Sequence, residues 1–413
     1  MKNFILSILS LAFLTVNAQT VNIPDPEFLK DLIKQGIDKN KDGYIQLNEA
    51  QGIEKIFNLT TKVSSIEGIE WFSDLKYLYL GSAPITSIDI SKNIKLEVLT
   101  CRYLPIKELD VSKNLNLKSL DCAYNKLTTL IFGQNKSLKQ VLCQGNKLVD
   151  LNVTTLDSIS QLWCEYNLLT NLDVNKNIWL TNLSCGGNLI SNIDLSSNIS
   201  LKDFICSRNP LSSLDISKTI NLENVECVSC NLTSLDISKN KKLKSLNCGA
   251  NHLTNLDFTN CGLLTTFNCS DNLFKTFDFT GIKWFDNFNC AANELTHLDI
   301  SKISVYYFNC SGNPNLFKIC ISNSQIPRTT ERDNRTEHGQ EEGYLIWTKD
   351  NQASYSTDCS VSVSEITKST IQPKLLNIYN VLGQEVSLDQ VKEGVYIYRY
   401  NDGSVKRIWK NTN

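Results

Sequence analysis

Cysteine recurs in this chain with a period that a chance distribution does not produce. Cys101, Cys122, Cys143, Cys164, Cys185, Cys206, Cys227, Cys248, Cys269, Cys290 and Cys310 are separated by nine intervals of 21 residues and a last one of 20. With 15 cysteines in 413 residues, eleven belong to this one ladder, and Leu80 occupies the rung before it. A fixed period of this length marks a unit that cannot bury its apolar face alone, so successive units must stack.

Around each cysteine runs the pattern Leu-x-x-Leu-x-Cys-x-x-Asn-x-Leu, as from Leu243 to Leu253. It alternates with Leu-Asp-Ile/Val/Phe-Ser-x-Asn, as from Leu235 to Asn240. Offsets of two place Leu246 and Cys248 on the inner face of a strand and Asn247 and Gly249 on the outer face. The asparagine three places beyond the cysteine (Asn125, Asn146, Asn167, Asn188, Asn209, Asn251, Asn272, Asn293, Asn313) sits where the chain leaves the sheet, with Cys230 replacing it once. There its amide can satisfy backbone groups that would otherwise be buried without partners. The pattern resembles the leucine-rich repeat, with cysteine in the third apolar position. The resemblance implies a mainly β fold: a leucine-rich repeat solenoid with a parallel sheet on one face. A helical N-terminal cap and a small C-terminal antiparallel β domain complete the expectation. Twelve rungs from Leu80 to Cys310 at roughly 4.8 Å each give a body on the order of 50 to 60 Å long.

Two columns invite chemical readings. The cysteines could serve metal or redox chemistry, but one thiol per rung, pointing into an apolar interior, suits a column of small polarizable side chains filling a narrow core. Aspartates recur at Asp89, Asp110, Asp173, Asp194, Asp215, Asp236, Asp257, Asp278 and Asp299, interrupted by Ile131 and Asn152. Bare carboxylates one strand spacing apart repel, so they are expected to accept hydrogen bonds from the following Ser and turn amides. A calcium-binding stripe is the competing reading.

Outside the repeat the ends carry their own signals. Met1-Lys2-Asn3, an apolar run from Phe4 to Val16 and small residues before Gln19 read as a secretory signal peptide, residues 1–18. Residues 19–70 form the expected N-terminal cap, with a helix over Pro26 to Lys34. The following loop, Asp38 to Glu49, matches the twelve-residue calcium loop of an EF-hand, with glycine at its sixth position, Gly43. Its ligands would be Asp38, Asn40, Asp42, the Tyr44 carbonyl, Gln46 and Glu49, holding one structural calcium; an acidic capping turn without an ion is the alternative. Residues 71–322 hold the repeats and 323–360 a C-terminal cap; Cys320 and Cys359, which flank the capping segment, are expected to form a disulfide around the polar loop Pro327 to Gly343. In the last segment, 361–413, alternating apolar residues predict a small antiparallel sheet. Its order Tyr-Asn-Val-Leu-Gly-Gln-Glu-Val, Gly-Val-Tyr-Ile-Tyr and Val-Lys-Arg-Ile-Trp-Lys resembles the sorting domain of the type IX secretion system. That resemblance implies recognition by the type IX machinery and release or attachment at the outer-membrane surface of a Gram-negative bacterium.

Function is narrowed by what is missing. Lys+Arg 41 against Asp+Glu 43 lacks the basic excess of a nucleic-acid binder, and no stretch after the signal reaches the roughly 20 apolar residues of a membrane span. The three histidines, His252, His297 and His338, are isolated, and no nucleophile–base arrangement is visible, so the chain reads as no enzyme. Binding is left to the outer face of the sheet, where the first half gathers Tyr77, Tyr79, Tyr103, Tyr124, Trp163 and Tyr166. Such residues dominate protein hot spots and also stack on sugars. The expected partner is an extracellular protein, bound in interaction or adhesion; a polysaccharide or a structural envelope role is the alternative. Asn247, Asn268, Asn289 and Asn309 in the second half read as an amide ladder stiffening the sheet.

Overall fold

The computed structural model describes residues 19–57, 59–325 and 347–359 and the strands 375–379, 385–386, 394–400 and 405–410. The signal peptide, the polar loop Pro327 to Gly343 and the linker Ser360 to Pro373 lie outside the described residues. The chain divides into two compact units between Thr357 and Asp358.

In the first unit a 14-stranded sheet runs from Lys55–Ile56 to Trp347–Thr348. Its strands are parallel, and a residue pairs with those 21 places before and after it: Asp203 stands opposite Asn182 and Asn224. Where the repeat is one residue short, Trp284 pairs with Ser304 instead. Twelve of these strands, Tyr77–Tyr79 through Ser304–Asn309, are the expected rungs, and one strand at each end extends the sheet into the caps. Each rung buries its central residue and the residue after the strand, Leu80 on the first rung and a ladder cysteine on the other eleven; Leu246 and Cys248 are both fully buried.

Backbone polarity inside this narrow core is neutralised by asparagine. Asn188 Nδ2 donates to the carbonyls of Cys185 and of Cys164 one rung earlier, at 2.9 and 3.0 Å, while its Oδ1 accepts the Leu169 N–H at 3.0 Å. Cys230, standing in for asparagine, directs its Sγ to the Cys206 carbonyl at 3.4 Å. A second buried column, Asn93, Asn114, Asn135, Asn177, Asn198 and Asn240, makes the same donation to two carbonyls at the opposite turn, but of its amide oxygens Asn135 Oδ1 alone accepts an N–H, from Gly133. Asn198 Nδ2, for example, reaches the carbonyls of Val174 and Asn177. This is the asparagine of the Ser-x-Asn in the repeat pattern.

The aspartate column behaves as expected. Each of its nine members accepts the N–H two residues on, from Ser91 to Asp89 at 2.9 Å through Ser301 to Asp299 at 2.9 Å. The Ser196 N–H and hydroxyl accordingly hold the Asp194 carboxyl below its ordinary range. Among the described residues thirteen cysteines are free and buried. Burial pushes the ladder thiols upward, Cys143 and Cys248 to about 12, so they stay protonated and unreactive.

A buried carboxylate helps tie down the N-terminal cap. Asp25 caps helix α1, Pro26–Lys34, through Oδ1 with the N–H groups of Glu27 and Phe28, and Pro26 fits the first helical turn. Its Oδ2 accepts from the Ser64 N–H, the Ser64 hydroxyl and the Ser65 N–H at 2.8, 2.7 and 2.9 Å. Helix α2, Leu47–Ala50, follows the acidic loop. At the other end a 3-stranded parallel sheet joins His297–Asp299, Lys318–Cys320 and Ser354–Ser356, with Cys320 opposite Asp299. The second unit contains a 4-stranded antiparallel sheet, Glu385–Val386, Leu375–Tyr379, Gly394–Tyr400 and Val405–Lys410. No helix of the described residues is long and apolar enough to cross a membrane.

Burial works against the ionised form of Asp25, but the bonds from Ser64, Phe28 and Ser65 outweigh it and bring the pKa to about 2. Because the folded value lies below the unfolded one, the associated stability, about 2 kcal/mol, is present above pH ~4 and disappears as the pH falls through about 2. Urea unfolding at pH 6 and at pH 2.5 should show this loss, and Asp25→Asn should remove that part of the pH dependence while lowering stability at pH 6.

Candidate functional site

The six aromatic residues singled out from the sequence occupy two kinds of position. Tyr77, Tyr79 and Trp163 lie on the sheet itself, in the strands Tyr77–Tyr79 and Gln161–Trp163. Tyr77 and Tyr79 are half-buried, and the Lys55 ammonium stands 5.5 Å from the centre of the Tyr79 ring. Tyr103, Tyr124 and Tyr166 instead belong to the turn two residues after the ladder cysteine, followed by Leu104, Asn125 and Asn167, with φ of 59°, 55° and 53°. The same register position is left-handed along the solenoid, and glycine fills it at Gly145, Gly187 and Gly312. A left-handed conformation costs a non-glycine residue roughly 1–2 kcal/mol, and a bulky aromatic there is an outlier. The in-register glycines were the sequence signal that these tyrosines are strained.

Neighbouring rungs accommodate the rings. Tyr103 and Tyr124 stack with centroids 5.1 Å apart and planes 6° from parallel. The Arg102 guanidinium covers them at 5.4 and 5.7 Å, and its Nε lies 3.5 Å from an Asp121 oxygen. Burial raises the Asp121 pKa against the opposing pull of the Ala123 N–H and Arg102. Tyr124 lies over Gly145 and Tyr166 over Gly187: a Cβ added at either glycine would come within 2.5 and 2.7 Å of the ring. The tyrosines are nonetheless well exposed, Tyr103 at 56% and Tyr166 at 58%.

Beyond Tyr166 the surface sinks. On this face the next rung carries Asn182 and then the small residues Ser184, Gly186 and Gly187, and two adjoining depressions form there, sharing Glu165, Ile205 and Glu226. Trp163 walls one and Tyr166 and Arg208 the other. Ser184, expected to face outward, is buried beneath Glu165 and donates its hydroxyl to that carboxylate. Across the depression the Asp203 carboxylate accepts from the amides of both Asn182 and Asn224. Exposed Leu168 and Leu189 continue the apolar rim two residues beyond Tyr166 and Gly187. The structure thus brings Tyr103 with Tyr124, and Trp163 with Tyr166 around a shared hollow, and leaves Tyr77 and Tyr79 on the first rung. Arg102, Asp203 and Arg208 were missed as members of this surface.

The expected amide ladder of Asn247, Asn268, Asn289 and Asn309 is a correction. Each Oδ1 accepts the N–H two residues on, such as Ser270 to Asn268 at 3.1 Å, because a local turn bond is reached without ordering a second side chain. Rung-to-rung side-chain bonds run instead along the first strand position, from Ser119 to Gln140 to Gln161.

In the acidic loop Asp38 accepts from Lys41 N–H and Gly43 N–H at 2.6 and 3.0 Å, and Lys41 and Gly43 are left-handed. Glu49, buried, accepts from the N–H groups of Lys39, Asn40 and Gln46. The amide nitrogens of Asn40 and Gln46 both point at Asp42.

A ring stacked on a glycine in this way makes a specific stability prediction. Gly187→Ala should cost about 2 kcal/mol or more, combining left-handed strain with the clash on Tyr166. In a Tyr166→Gly background the same substitution should cost only about 1 kcal/mol, as measured by a double-mutant unfolding cycle.

No family model matches the sequence, and no curated protein matches it. Among solved structures, the functional domain of InlJ from Listeria monocytogenes, which includes a cysteine ladder, superposes with a TM-score of 0.60 at 24% identity, over 96% of this chain and 98% of that one. The internalin InlF of the same organism superposes with a TM-score of 0.60 at 20% identity, over 75% of this chain and 93% of that one. The parallel 21-residue rungs, the buried cysteine column and these two superpositions establish the fold as a leucine-rich repeat solenoid.

Proposed function

We propose that this chain is an exported leucine-rich repeat protein that binds another protein through the aromatic half of its exposed sheet, as an adhesin or interaction module without catalytic activity. The observation that carries the reading is the set of exposed tyrosines held in left-handed backbone, where glycine would be less strained. Strain maintained at exposed positions is accounted for by a surface role better than by folding. A protein partner is favoured over a polysaccharide because ring faces are occupied: Tyr103 and Tyr124 by each other and Arg102, Tyr124 and Tyr166 by glycine backbone. What remains is a hollow where Trp163 and Ile205 stand among Glu165, Asp203 and Glu226, bordered by exposed Leu168 and Leu189, a mixture of aromatic, aliphatic and charged groups that suits a protein interface. The signal-like N-terminus and the sorting-like tail support export to the outer-membrane surface of a Gram-negative cell. Binding of the mature chain to panels of extracellular proteins and polysaccharides tests the reading. A saturable protein hit should weaken about tenfold, 1.4 kcal/mol, with Trp163→Ala. Binding indifferent to that substitution would remove the aromatic surface from consideration, and a saturable polysaccharide hit would replace the protein partner.

We also infer that the loop Asp38–Glu49 holds one structural calcium ion through Asp38, Asn40, Asp42, the Tyr44 carbonyl, Gln46 and Glu49, and that Cys320 pairs with Cys359. The donors are all oxygens, suiting a hard cation, and Gly43 supplies the left-handed turn at the sixth position. Loading would turn the Asn40 and Gln46 amides so that oxygen replaces nitrogen toward the ion. Calcium should raise the midpoint of thermal unfolding, and Glu49→Gln should abolish the increase; an unchanged midpoint on chelation would leave the loop as a capping turn.

A further inference from the structure

Resting on the protein-binding reading above, we propose that the hollow between Trp163 and Glu226 receives a basic side chain, lysine or arginine, from the partner protein. Its shape comes from one rung of small residues, Ser184, Gly186 and Gly187, set between the larger side chains of the rungs on either side. Ile205 supplies an apolar surface for an aliphatic stem, and Trp163 stands at the wall, 41% exposed. Long cationic side chains bury their stems on such surfaces and place the charged end against carboxylates or ring faces.

Charge selects the occupant. Glu165, Asp203 and Glu226 line the hollow, and Arg208 is the single cation among its lining residues. None of the ion pairs among the described residues includes any of these three carboxylates. Asp203 is already bonded by two amides, and Glu165 by the Ser184 hydroxyl, which orients both without neutralising them. An acidic or purely apolar segment would therefore have to desolvate carboxylates without compensation, whereas a basic one completes them.

The chain itself shows how this surface holds a cation. Arg102 lies over the rings of Tyr103 and Tyr124 with its Nε 3.5 Å from the Asp121 carboxylate. Glu226 occupies the register position of Asp121 five rungs on, and Tyr166 that of Tyr103 and Tyr124. At the hollow the residue in register with Arg102 on the small rung is Gly186; Tyr166 stands one rung before it and Glu226 two rungs after it, with Ile205 in the Asp121 position between. An arginine or lysine from outside would thus meet the same kinds of group that hold Arg102, an aromatic ring and a carboxylate, set further apart and separated by the apolar Ile205.

The test is selection of a phage-displayed random peptide library on the full chain, followed by titration of the recovered peptides against variants. Peptides should carry a recurring Lys or Arg beside apolar residues. Their affinity should fall about tenfold in Glu165→Gln/Glu226→Gln, fall in about 0.5 M salt, and fall with Trp163→Ala. Trp163-dependent peptides that lack a basic residue, or that ignore the double Glu→Gln substitution, would overturn the basic occupant while leaving the binding surface in place. A selection yielding no Trp163-dependent peptide would overturn both.

Discussion

The asparagine amide that bridges consecutive rungs is the interaction on which this molecule depends. A chain that turns every few residues around a narrow apolar core carries inward-facing carbonyls and N–H groups that no sheet bond can reach. An unpaired buried group costs about 1–3 kcal/mol. Asn188 answers this by donating to two cysteine carbonyls on adjacent rungs and accepting from a third segment, and its counterparts repeat the arrangement. The second column, with Asn198 reaching Val174 and Asn177, closes the opposite turn. Cysteine is then the natural filler beside it: small enough for the narrow space, apolar enough for burial, and kept as a thiol by that burial.

The same turn generates the binding surface. Where the chain leaves the sheet, the residue two places after the ladder cysteine is held in left-handed backbone on rung after rung, whether asparagine, Leu104 or Cys230 follows it. Glycine or a small residue satisfies that demand in much of the solenoid, yet Tyr103, Tyr124 and Tyr166 stand there with their rings outside. Scaffold and surface are therefore coupled. Each ring is accommodated by the rung after it, Tyr103 by the ring of Tyr124 and Tyr124 and Tyr166 by a glycine that leaves space for them. The hollow beyond Tyr166 is the outcome of the same rule, since a rung of Ser184, Gly186 and Gly187 accommodates the ring before it and lowers the surface behind it.

Ends matter as much as repeats in an open stack. Asp25 joins helix α1 to Ser64 and Ser65 with five hydrogen bonds, and Asp31 of the same helix accepts the Thr60 N–H, so buried carboxylates link the cap to the segment leading into the first rungs. The aspartate column uses carboxylates differently: each is occupied locally by the N–H two residues on, which explains why a stack of acids does not repel itself apart.

The solenoid was legible in the sequence because its cause is periodic. A 21-residue recurrence of Cys101 through Cys310 fixes strand register, the inward face and even the one-residue slip before Ser304, as do Asp89 to Asp299 for the turns. What the period alone could not convey was non-local side-chain geometry. Whether Asn247 bonds Asn268 or its own turn depends on reach across a rung, and the local bond won. That Ser184 lies under Glu165, or that Arg102 covers two tyrosines, follows from side chains 19 to 22 residues apart meeting only after stacking. Sequence by itself determined the repeat, its inward residues and which aromatics lie outside. The tertiary structure decided which of them meet and where the surface sinks, because those properties belong to neighbouring rungs together and to no single repeat.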